Sequence, residues 1–310
     1  MHCESTVSYC VDVDTILIKA PEDTFFMKKY LNVSGKLLDT SQPLVMGILN
    51  ITPDSFYDGG KLTGENAVAE RAAQMIGQGA AIIDVGGQST RPGAELISAG
   101  EEWERIKDTL SILHERFPDA VLSIDTFYSE VAEKAVAAGA SIINDISGGG
   151  MDKKMFETVA RLKVPYVLTH MKGTPQTMQQ EAKYENVVTE VMDFFVEKIQ
   201  KLITLGVPDI IIDPGFGFSK TLEHNYELLS RLSVFKIFER PILAGISRKS
   251  MVNKVVGTKP EGALNGTTVL NTIALQNGAS ILRVHDIKEA VEAAKLTAAI
   301  SNFESRKNIK

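Results

Sequence analysis

Polar and charged side chains follow short apolar runs at eight places in the chain, and their chemical types suit the binding of a charged small molecule. They are Asn50, Asp84, Asp125, Asn144 with Asp145, His170, Asp213, Ser247 with Arg248 and Lys249, and Arg283 with His285. Any one of them alone would be explained by a side chain that caps the next helix. Eight coinciding positions favour a binding or catalytic site instead.

These residues divide the predicted site into two chemical halves. Hydrogen-bond acceptors that suit the N–H groups of a neutral heterocycle form one half: Asp125, Asn144 and Asp213. Basic side chains that suit phosphate oxygens form the other: Lys249, Arg283 and His285. The two halves together predict a phosphorylated small molecule that carries a hydrogen-bonding ring.

Two long loops that contain glycine and proline follow the first two apolar runs, at Asn50–Lys61 and Gly86–Glu95. Such loops can be ordinary turns, but their position beside the polar residues favours mobile lids over a site. The side chains that these lids would bring to the site are Asp54, Phe56, Thr90 and Arg91.

The apolar runs themselves are about five residues long and nearly continuous, as in parallel strands that are buried on both faces. They are Leu44–Leu49, Ala81–Val85, Val121–Ile124, Ile142–Ile146, Val164–Leu168, Ile210–Ile212, Ile242–Ile246 and Ile281–Val284. Amphipathic helices are predicted at Glu65–Gln78, Glu101–Arg116, Ser129–Ala138, Asp152–Leu162, Asn186–Leu205, Leu222–Leu232, Ala263–Gln276 and Ile287–Ile300. Eight strand–helix alternations predict an α/β fold, a (β/α)8 TIM barrel, whose strand ends would meet at one mouth. An open doubly wound sheet is the alternative.

The barrel is predicted as a single domain over residues 43–303, with an N-terminal extension at 1–42 and a C-terminal tail at 304–310. The extension mixes β-formers with charges, and one hairpin is predicted near Tyr30 to Leu38. A chain of 310 residues leaves little room for a second enzyme.

Composition excludes several other classes of protein. The net charge is 33 − 39 = −6 and no basic tract is present, which argues against nucleic acid as a partner. The two cysteines, Cys3 and Cys10, cannot hold the body of the chain together, which indicates a reducing compartment. The uncharged stretch Ala263–Leu282 is too polar to span a membrane. We expect a cytoplasmic protein with small-molecule substrates.

Seven segments carry a resemblance to a known family. They are MGILNITPDSFYDGG (46–60), DVGGQSTRPGA (84–94), SIDT (123–126), INDISGG (143–149), DPGFGFSK (213–220), GISRKS (245–250) and RVHD (283–286). In this order and spacing they resemble dihydropteroate synthases, from about residue 43 to 300. The resemblance implies a barrel that condenses (7,8-dihydropterin-6-yl)methyl diphosphate with 4-aminobenzoate in folate synthesis, and that is the target of sulfonamides.

The resemblance also implies a role for each matching residue. The pterin diphosphate would contact Thr90, Asp125, Asn144, Asp213, Lys249, Arg283 and His285. The 4-aminobenzoate would lie near Phe56, Thr90, Arg91 and Pro92, with its carboxylate at Ser247 and the helix start that follows. Asn50 would hold Mg²⁺ beside the diphosphate. The expected catalytic residues are Asp125, Asp213, Lys249, Arg283 and His285.

An aromatic amine is a weak nucleophile, so we expect the enzyme to assist the leaving group through Mg²⁺, Arg283 and His285. The expected chemistry is an SN1-like loss of diphosphate, with Asp125 and Asp213 favouring the cation. A homodimer through the later helices is implied as well, and Leu222–Leu232 and Ala263–Gln276 are its candidate surfaces.

The chain departs from the family pattern at two motif positions. Gln88 stands where glutamate is usual, which puts any salt bridge of the second loop in doubt, and Ser219 stands where glycine is frequent. Residues 1–25 have no counterpart among the motifs. The alternatives are a methyltetrahydrofolate-binding methyltransferase domain, a pterin-binding paralogue without turnover, and a Schiff-base aldolase built on Lys249. A methyltransferase domain of this kind would need neither a diphosphate site nor the STRPG loop. A Schiff-base aldolase is disfavoured because Lys249 lies beyond its strand rather than inside the barrel.

Overall fold

Eight parallel strands form the centre of the protein, which we describe from a computed structural model over residues 30–51, 64–89 and 95–307. An antiparallel hairpin of β1 (Tyr30–Val33) and β2 (Lys36–Asp39) comes first, where the sequence predicts one. The parallel strands are β3 (Leu44–Asn50), β4 (Ile82–Gly86), β5 (Val121–Asp125), β6 (Ile142–Asp145), β7 (Tyr166–Thr169), β8 (Ile210–Asp213), β9 (Leu243–Ala244) and β10 (Ile281–Val284).

The strands pair in the order β8-β7-β6-β5-β4-β3-β10-β9. A parallel bridge between Ile212 and Ile242 joins the two ends of this series and so nearly closes the ring. Because every neighbour is parallel, the carboxyl ends of the strands lie at the same mouth. The predicted (β/α)8 barrel is confirmed, and all eight predicted strands are present.

Helices connect the strands around the outside. They are α1 (Gly64–Gly77), α2 (Ala99–Arg116), α3 (Ser129–Ala137), α4 (Met155–Leu162), α5 (Val187–Thr204), α6 (Leu222–Ser230), α7 (Ser250–Val256), α8 (Leu264–Gln276) and α9 (Ile287–Lys307). One face of α5 packs on the barrel, with Val188, Phe195 and Leu202 buried. No helix of the described ranges is long and apolar enough to cross a membrane.

Three helix boundaries differ from prediction for local reasons. α4 begins at Met155 rather than Asp152, because the Asp152 carboxylate accepts from the Ser129 and Lys154 amides and forms a turn. A separate 3₁₀ segment, Leu232–Phe238, follows the end of α6. α9 continues past Ile300 to Lys307, since no glycine or proline interrupts it. The short helix α7 was not predicted.

The hairpin closes the amino-terminal end of the barrel. Leu31 and Val33 are buried within one apolar cluster with a ring of strand residues: Met46, Ile82, Ile142, Val167, Ile211, Leu243 and Ile281. The Asn32 amide also donates to Asp209 Oδ2 at 3.2 Å. Each such buried aliphatic side chain contributes about 1.5–3 kcal/mol of transfer free energy. This end of the barrel is therefore a packed plug and leaves the opposite mouth for chemistry.

Candidate active site

An arginine from the last strand joins two carboxylates inside the mouth. Arg283 Nε donates to Asp84 Oδ2 at 2.7 Å, and Arg283 Nη2 donates to Asp125 Oδ2 at 2.5 Å. Asn144 Nδ2 donates to the same Asp84 oxygen at 2.9 Å. β10, β4, β5 and β6 thus each contribute one side chain to a single polar network, because their carboxyl ends converge.

Burial sets the electrostatics of this network. It raises the pKa of Asp125, and the Arg283 guanidinium opposes that rise. Burial alone would lower the pKa of Arg283, but Asp84 and Asp125 more than offset this and hold it above its ordinary value. The guanidinium is therefore a cation held between two carboxyl groups, and three of its five N–H donors are free of them.

A lysine crosses the mouth from the other side. Lys249 Nζ donates to the Phe216 carbonyl at 2.5 Å and lies 4.5 Å from the centroid of the Phe218 ring. Burial lowers the pKa of Lys249 to about 8, although Asp213 opposes this shift. Gly217 is required here, because its φ is +82° and a Cβ would lie 3.0 Å from Lys249 Cδ.

The loop that carries Phe216 is shaped by a second lysine, the buried Lys220, which sequence reasoning did not assign to the site. Its Nζ contacts His170 Nδ1 at 3.0 Å and donates to the carbonyls of Gly215 and Phe218 at 3.0 and 3.1 Å. Burial lowers its pKa well below the ordinary value. Only the DPGFGFSK motif could have indicated this role, and the motif does not say where the side chain points.

Ser219 in the same loop adopts a left-handed conformation with φ of 47°. Its hydroxyl accepts from the Lys172 amide at 2.8 Å. A glycine would adopt this φ more readily but would lose the hydrogen bond. The serine is therefore accommodated by a contact that glycine cannot make.

Ser247 follows β9 and His285 follows β10, and their side chains lie together. Ser247 Oγ is 3.0 Å from His285 Nδ1 and accepts from the His285 amide at 3.2 Å. Burial lowers the pKa of His285 to about 4, and Arg283 adds to the shift. The imidazole is therefore neutral at pH 7 and acts as a hydrogen-bonding group rather than a cation. Lys249 is the N-cap of α7, which begins at Ser250.

Asn50 ends β3 on the same side as Asp125. A Cβ placed on Gly86 would lie 3.5 Å from Asn50 Oδ1 and 3.6 Å from Asp125 Oδ2, so both oxygens border one space that the glycine leaves open. Among the described residues no group of three His, Cys, Asp or Glu could hold a metal by itself. Mg²⁺ commonly takes one or two protein oxygens together with waters and substrate phosphates, which fits this sparse donor set.

The structure brings together most of the predicted site. Asp125, Asn144, Lys249 and Arg283 share one network or its immediate edge, as described above. Asp213 is buried and accepts from the Gly215 amide at 2.7 Å. Asp84 was seen as a polar strand end, but its role as the partner of Arg283 was missed. The predicted residues Phe56, Thr90, Arg91 and Pro92 lie outside the described residues.

Comparison of the sequence with known families and proteins gives one consistent result. The profile of a family described as "Pterin binding enzyme" matches residues 46–285. The dihydropteroate synthase of Escherichia coli (strain K12) is 43% identical over 279 residues, which cover 89% of this chain and 98% of that protein.

Solved structures agree in both fold and sequence. The dihydropteroate synthase of Yersinia pestis with a sulfonamide drug superposes with a TM-score of 0.83 at 41% identity, covering 88% of this chain and 99% of that one. The dihydropteroate synthase of Xanthomonas albilineans with 4-aminobenzoic acid gives 0.82 at 38% identity, covering 88% and 98%. The similarity extends over the whole barrel.

Proposed function

We infer the reaction from the family to which the chain belongs: it is a member of the dihydropteroate synthases, pterin-binding transferases of folate synthesis. The mouth would condense (7,8-dihydropterin-6-yl)methyl diphosphate with 4-aminobenzoate and release diphosphate and 7,8-dihydropteroate. The observation that carries this proposal is the Arg283 guanidinium between Asp84 and Asp125. It puts an anion-binding donor directly beside acceptors for a heterocycle.

The pterin ring would bind among buried acceptors. Asp125, Asn144 and Asp213 are each no more than 6% exposed, so a hydrogen bond to them would be made away from water. Lys249 would donate to ring acceptors from the opposite side, with Phe218 as an apolar wall beside it. Neither a purely anionic nor a purely apolar ligand would satisfy this set.

The diphosphate would lie beside Arg283 and His285. The remaining donors of Arg283 would take oxygens of the leaving group as negative charge develops on them. His285 keeps Nδ1 against Ser247, so its Nε2 is the atom left for the substrate. Because His285 is neutral at pH 7, it would contribute a hydrogen bond and Arg283 the charge.

Asn50 Oδ1 would be the protein's ligand to Mg²⁺, which when bound would neutralise part of the diphosphate charge. The open space above Gly86 between Asn50 and Asp125 supports this placement. Titration of the protein with Mg²⁺ and pterin diphosphate in a calorimeter tests it without turnover. Asn50→Leu should weaken the Mg²⁺-dependent part of pterin diphosphate binding, and an unchanged Mg²⁺ dependence would contradict the assignment.

The proposed order of bond cleavage and bond formation is dissociative. The methylene C–O bond breaks first, its electron pair leaves with the diphosphate, and the dihydropterin carries the resulting positive charge. The amine of 4-aminobenzoate then forms the C–N bond and gives up its proton. Asp125 and Asp213 support this order, since anions beside the ring lower the energy of a cation.

Positional isotope exchange tests the order of bond events. With the bridging oxygen of the substrate labelled, the label should scramble into non-bridging positions when an unreactive analogue occupies the 4-aminobenzoate site. Absence of scrambling with the analogue bound, in a protein preparation that turns over with 4-aminobenzoate, would favour direct displacement by the amine.

The reaction itself is tested by mixing the protein with pterin diphosphate, 4-aminobenzoate and Mg²⁺, and measuring diphosphate and 7,8-dihydropteroate. Release that requires both aminobenzoate and Mg²⁺ supports the synthase. Tight pterin binding without release would instead identify a paralogue that binds without turnover.

A cytosolic location stays a prediction.

We also propose a homodimer. Exposed apolar side chains cluster on three neighbouring helices, α7, α8 and α9: Val255, Val256, Val269, Leu296, Ile300 and Phe303. Of the two surfaces named from the sequence, only Ala263–Gln276 belongs to this face, which supports α8 over α6. Light scattering should give twice the chain mass, and Leu296→Glu should reduce it to one chain. An unchanged mass for the variant would exclude this face.

A further inference from the structure

Two charged residues of the sequence motifs have no part in the proposed function. Arg248 lies between Ser247 and Lys249, and Asp286 follows His285. Their side chains form a bidentate ion pair: Arg248 Nε donates to Asp286 Oδ2 at 2.9 Å, and Nη2 donates to Oδ1 at 2.6 Å. We call this pair the clamp. It joins the loop after β9 to the loop after β10, directly beside the contact between Ser247 and His285.

The bonding of Arg248 argues against a direct contact with a substrate. Its third side-chain nitrogen, Nη1, donates to the Pro260 carbonyl at 3.3 Å, so all three guanidinium nitrogens have protein partners. Its amide donates to Thr267 Oγ1, and its carbonyl accepts from Asn253. The side chains of the pair are only 29% and 16% exposed. An arginine bonded in this way holds the chain in place, and Asp286 compensates its charge.

The backbone at Arg248 explains why such a pair is needed. Its φ is +56°, in the left-handed region, which a residue with a Cβ adopts only at a cost. The residues on its two sides contact different parts of the mouth: Ser247 contacts His285, whereas Lys249 Nζ donates to the Phe216 carbonyl. The clamp and the backbone bonds of Arg248 thus stabilise a turn that the residue would not favour by itself.

His285 is held by the same arrangement. Its amide donates to Ser247 Oγ at 3.2 Å, and its Nδ1 lies 3.0 Å from that oxygen. Its carbonyl accepts from Arg71 Nη2 of α1 at 3.1 Å. A hydroxyl that accepts from an amide can still donate its own proton to Nδ1, and a neutral imidazole then carries its proton on Nε2.

We propose that Arg248 and Asp286 are positioning residues that hold Ser247 against His285, so that the serine hydroxyl donates to Nδ1 and the imidazole proton stays on Nε2. The inference rests on the proposed function, in which Nε2 would donate to the diphosphate as it leaves. Neither residue of the clamp would contact the substrate. Loss of the clamp should therefore weaken a hydrogen bond to the leaving group and act on turnover more than on binding.

Steady-state kinetics with pterin diphosphate varied tests the clamp in the full chain. Arg248→Lys keeps the charge but not the bidentate geometry, and Asp286→Asn keeps the size but not the charge. Each should lower kcat by about tenfold, a typical coupling within one hydrogen-bond network. KM for pterin diphosphate should change by less than about twofold, because Lys249 keeps its own contact with the Phe216 carbonyl.

The matched controls are Arg161→Lys and Glu133→Gln, which alter an exposed ion pair in the same two ways and should retain kcat. Circular dichroism checks that each variant is folded, and if one clamp variant does not fold, the other carries the test. If the folded clamp variants retain kcat while the unchanged protein turns over, the inference is overturned and the proposed function stands.

A double-variant cycle shows whether the clamp acts through His285. In a protein that carries His285→Ala, the further change Arg248→Lys should lower kcat by less than about twofold, because the group that the clamp positions is already absent. A tenfold loss that persists in this background would overturn the inference.

Nitrogen-15 NMR of the His285 imidazole gives a readout that needs neither substrate nor turnover. The unchanged protein should show the tautomer with its proton on Nε2, and both clamp variants should show a mixture of the two tautomers. A proton on Nδ1 in the unchanged protein, or an unaltered tautomer in both variants, would overturn the inference. Absence of turnover by the unchanged protein would overturn the proposed function and this inference together.

Discussion

The two ends of the barrel are buried by opposite chemistry. At the amino-terminal end, Leu31 and Val33 of the hairpin fill the space inside a ring of aliphatic side chains. At the mouth, the groups are ionisable: Asp84, Asp125, Asp213 and Lys220 are buried, and Lys249 and Arg283 are partly buried. Three strands supply side chains to both layers, two residues apart: Ile82 and Asp84, Ile211 and Asp213, and Ile281 and Arg283.

The contrast shows what each end costs and contributes. Aliphatic burial is favourable by itself, so the plug stabilises the fold and needs no partner of matching charge. A buried charge is costly unless paired, and here Arg283 compensates Asp84 and Asp125. Burial of charged groups at the mouth therefore lowers the stability of the fold, but these groups are available to bind a substrate. Substitutions at the plug should alter stability, and those at the mouth should alter turnover.

The largest effect is expected for Arg283→Ala. It removes the donor proposed for the leaving group and leaves Asp84 and Asp125 facing each other. We expect kcat/KM to fall at least a hundredfold, which corresponds to a loss of about 3–4 kcal/mol of transition-state stabilisation. Steady-state kinetics measures this, with the exposed Arg161→Ala on α4 as control. A near-normal rate in the Arg283 variant would contradict the assignment of the mouth.

Leu31→Ala should give the reverse pattern at the plug. Leu31 is fully buried, and its truncation should lower the free energy of unfolding by about 2–3 kcal/mol through lost burial and a cavity. Denaturant unfolding measures the change. At a temperature where the variant is folded, kcat should match that of the unchanged protein; a large loss of kcat would mean that the two ends are not separate.

Lys249→Ala should lower kcat/KM by at least about tenfold, less than Arg283→Ala, because Lys249 is proposed to contact the pterin ring rather than the leaving group. The loss should appear chiefly in KM for pterin diphosphate. Steady-state kinetics with that substrate varied is the measurement. If kcat alone falls, Lys249 acts on the reaction and not on binding.

The pH dependence of kcat/KM should reflect the ionisation of Lys249. The pKa of Lys249 is lowered to about 8, so its charge is present below that pH and lost as the pH rises through it. We therefore expect kcat/KM for pterin diphosphate to decline above about pH 8. Lys249→Arg keeps its charge and should carry the decline to higher pH; an identical profile in that variant would show that another group is responsible.

The smallest effect is expected for an ion pair at the plug end. Lys36 Nζ lies 2.8 Å from Asp119 Oδ1, but the two side chains are 62% and 97% exposed. Water screens such a pair, so Lys36→Met should leave both the melting temperature and kcat unchanged within measurement. A clear drop in melting temperature would show that charges matter at this end too.

The sequence predicted the elements of the fold far better than the pairing of its side chains. Strands buried on both faces leave continuous apolar runs, so β3 to β10 could be found from composition and spacing alone. That polar residues end these strands could be found in the same way, as for Asn144 and Asp213. The helix α7 has only seven residues, too few to show a helical period, and was missed.

Contacts across the barrel were beyond sequence reasoning for a physical reason. Which oxygen Arg283 contacts depends on the register of four strands and on the direction of each side chain at the rim. The same holds for Lys220, whose partners are mostly backbone carbonyls that every residue possesses. Gln88 was noticed as a substitution, but the sequence could not show that its side chain donates to the Glu95 carbonyl and accepts from the Ile97 amide.

The Arg283 contact has a consequence for the order in which the protein can be completed. Arg283 lies on the last strand, 199 residues after Asp84 and 158 after Asp125. While the chain is being synthesised, both carboxylates emerge long before their cation. A partial barrel without β10 would hold two neighbouring acids without the guanidinium that contacts both, so their burial would favour the uptake of protons. The final strand thus adds the cation of the mouth and also joins β3 to β9. A chain cut short before it would lose the Arg283 charge and the ring closure together.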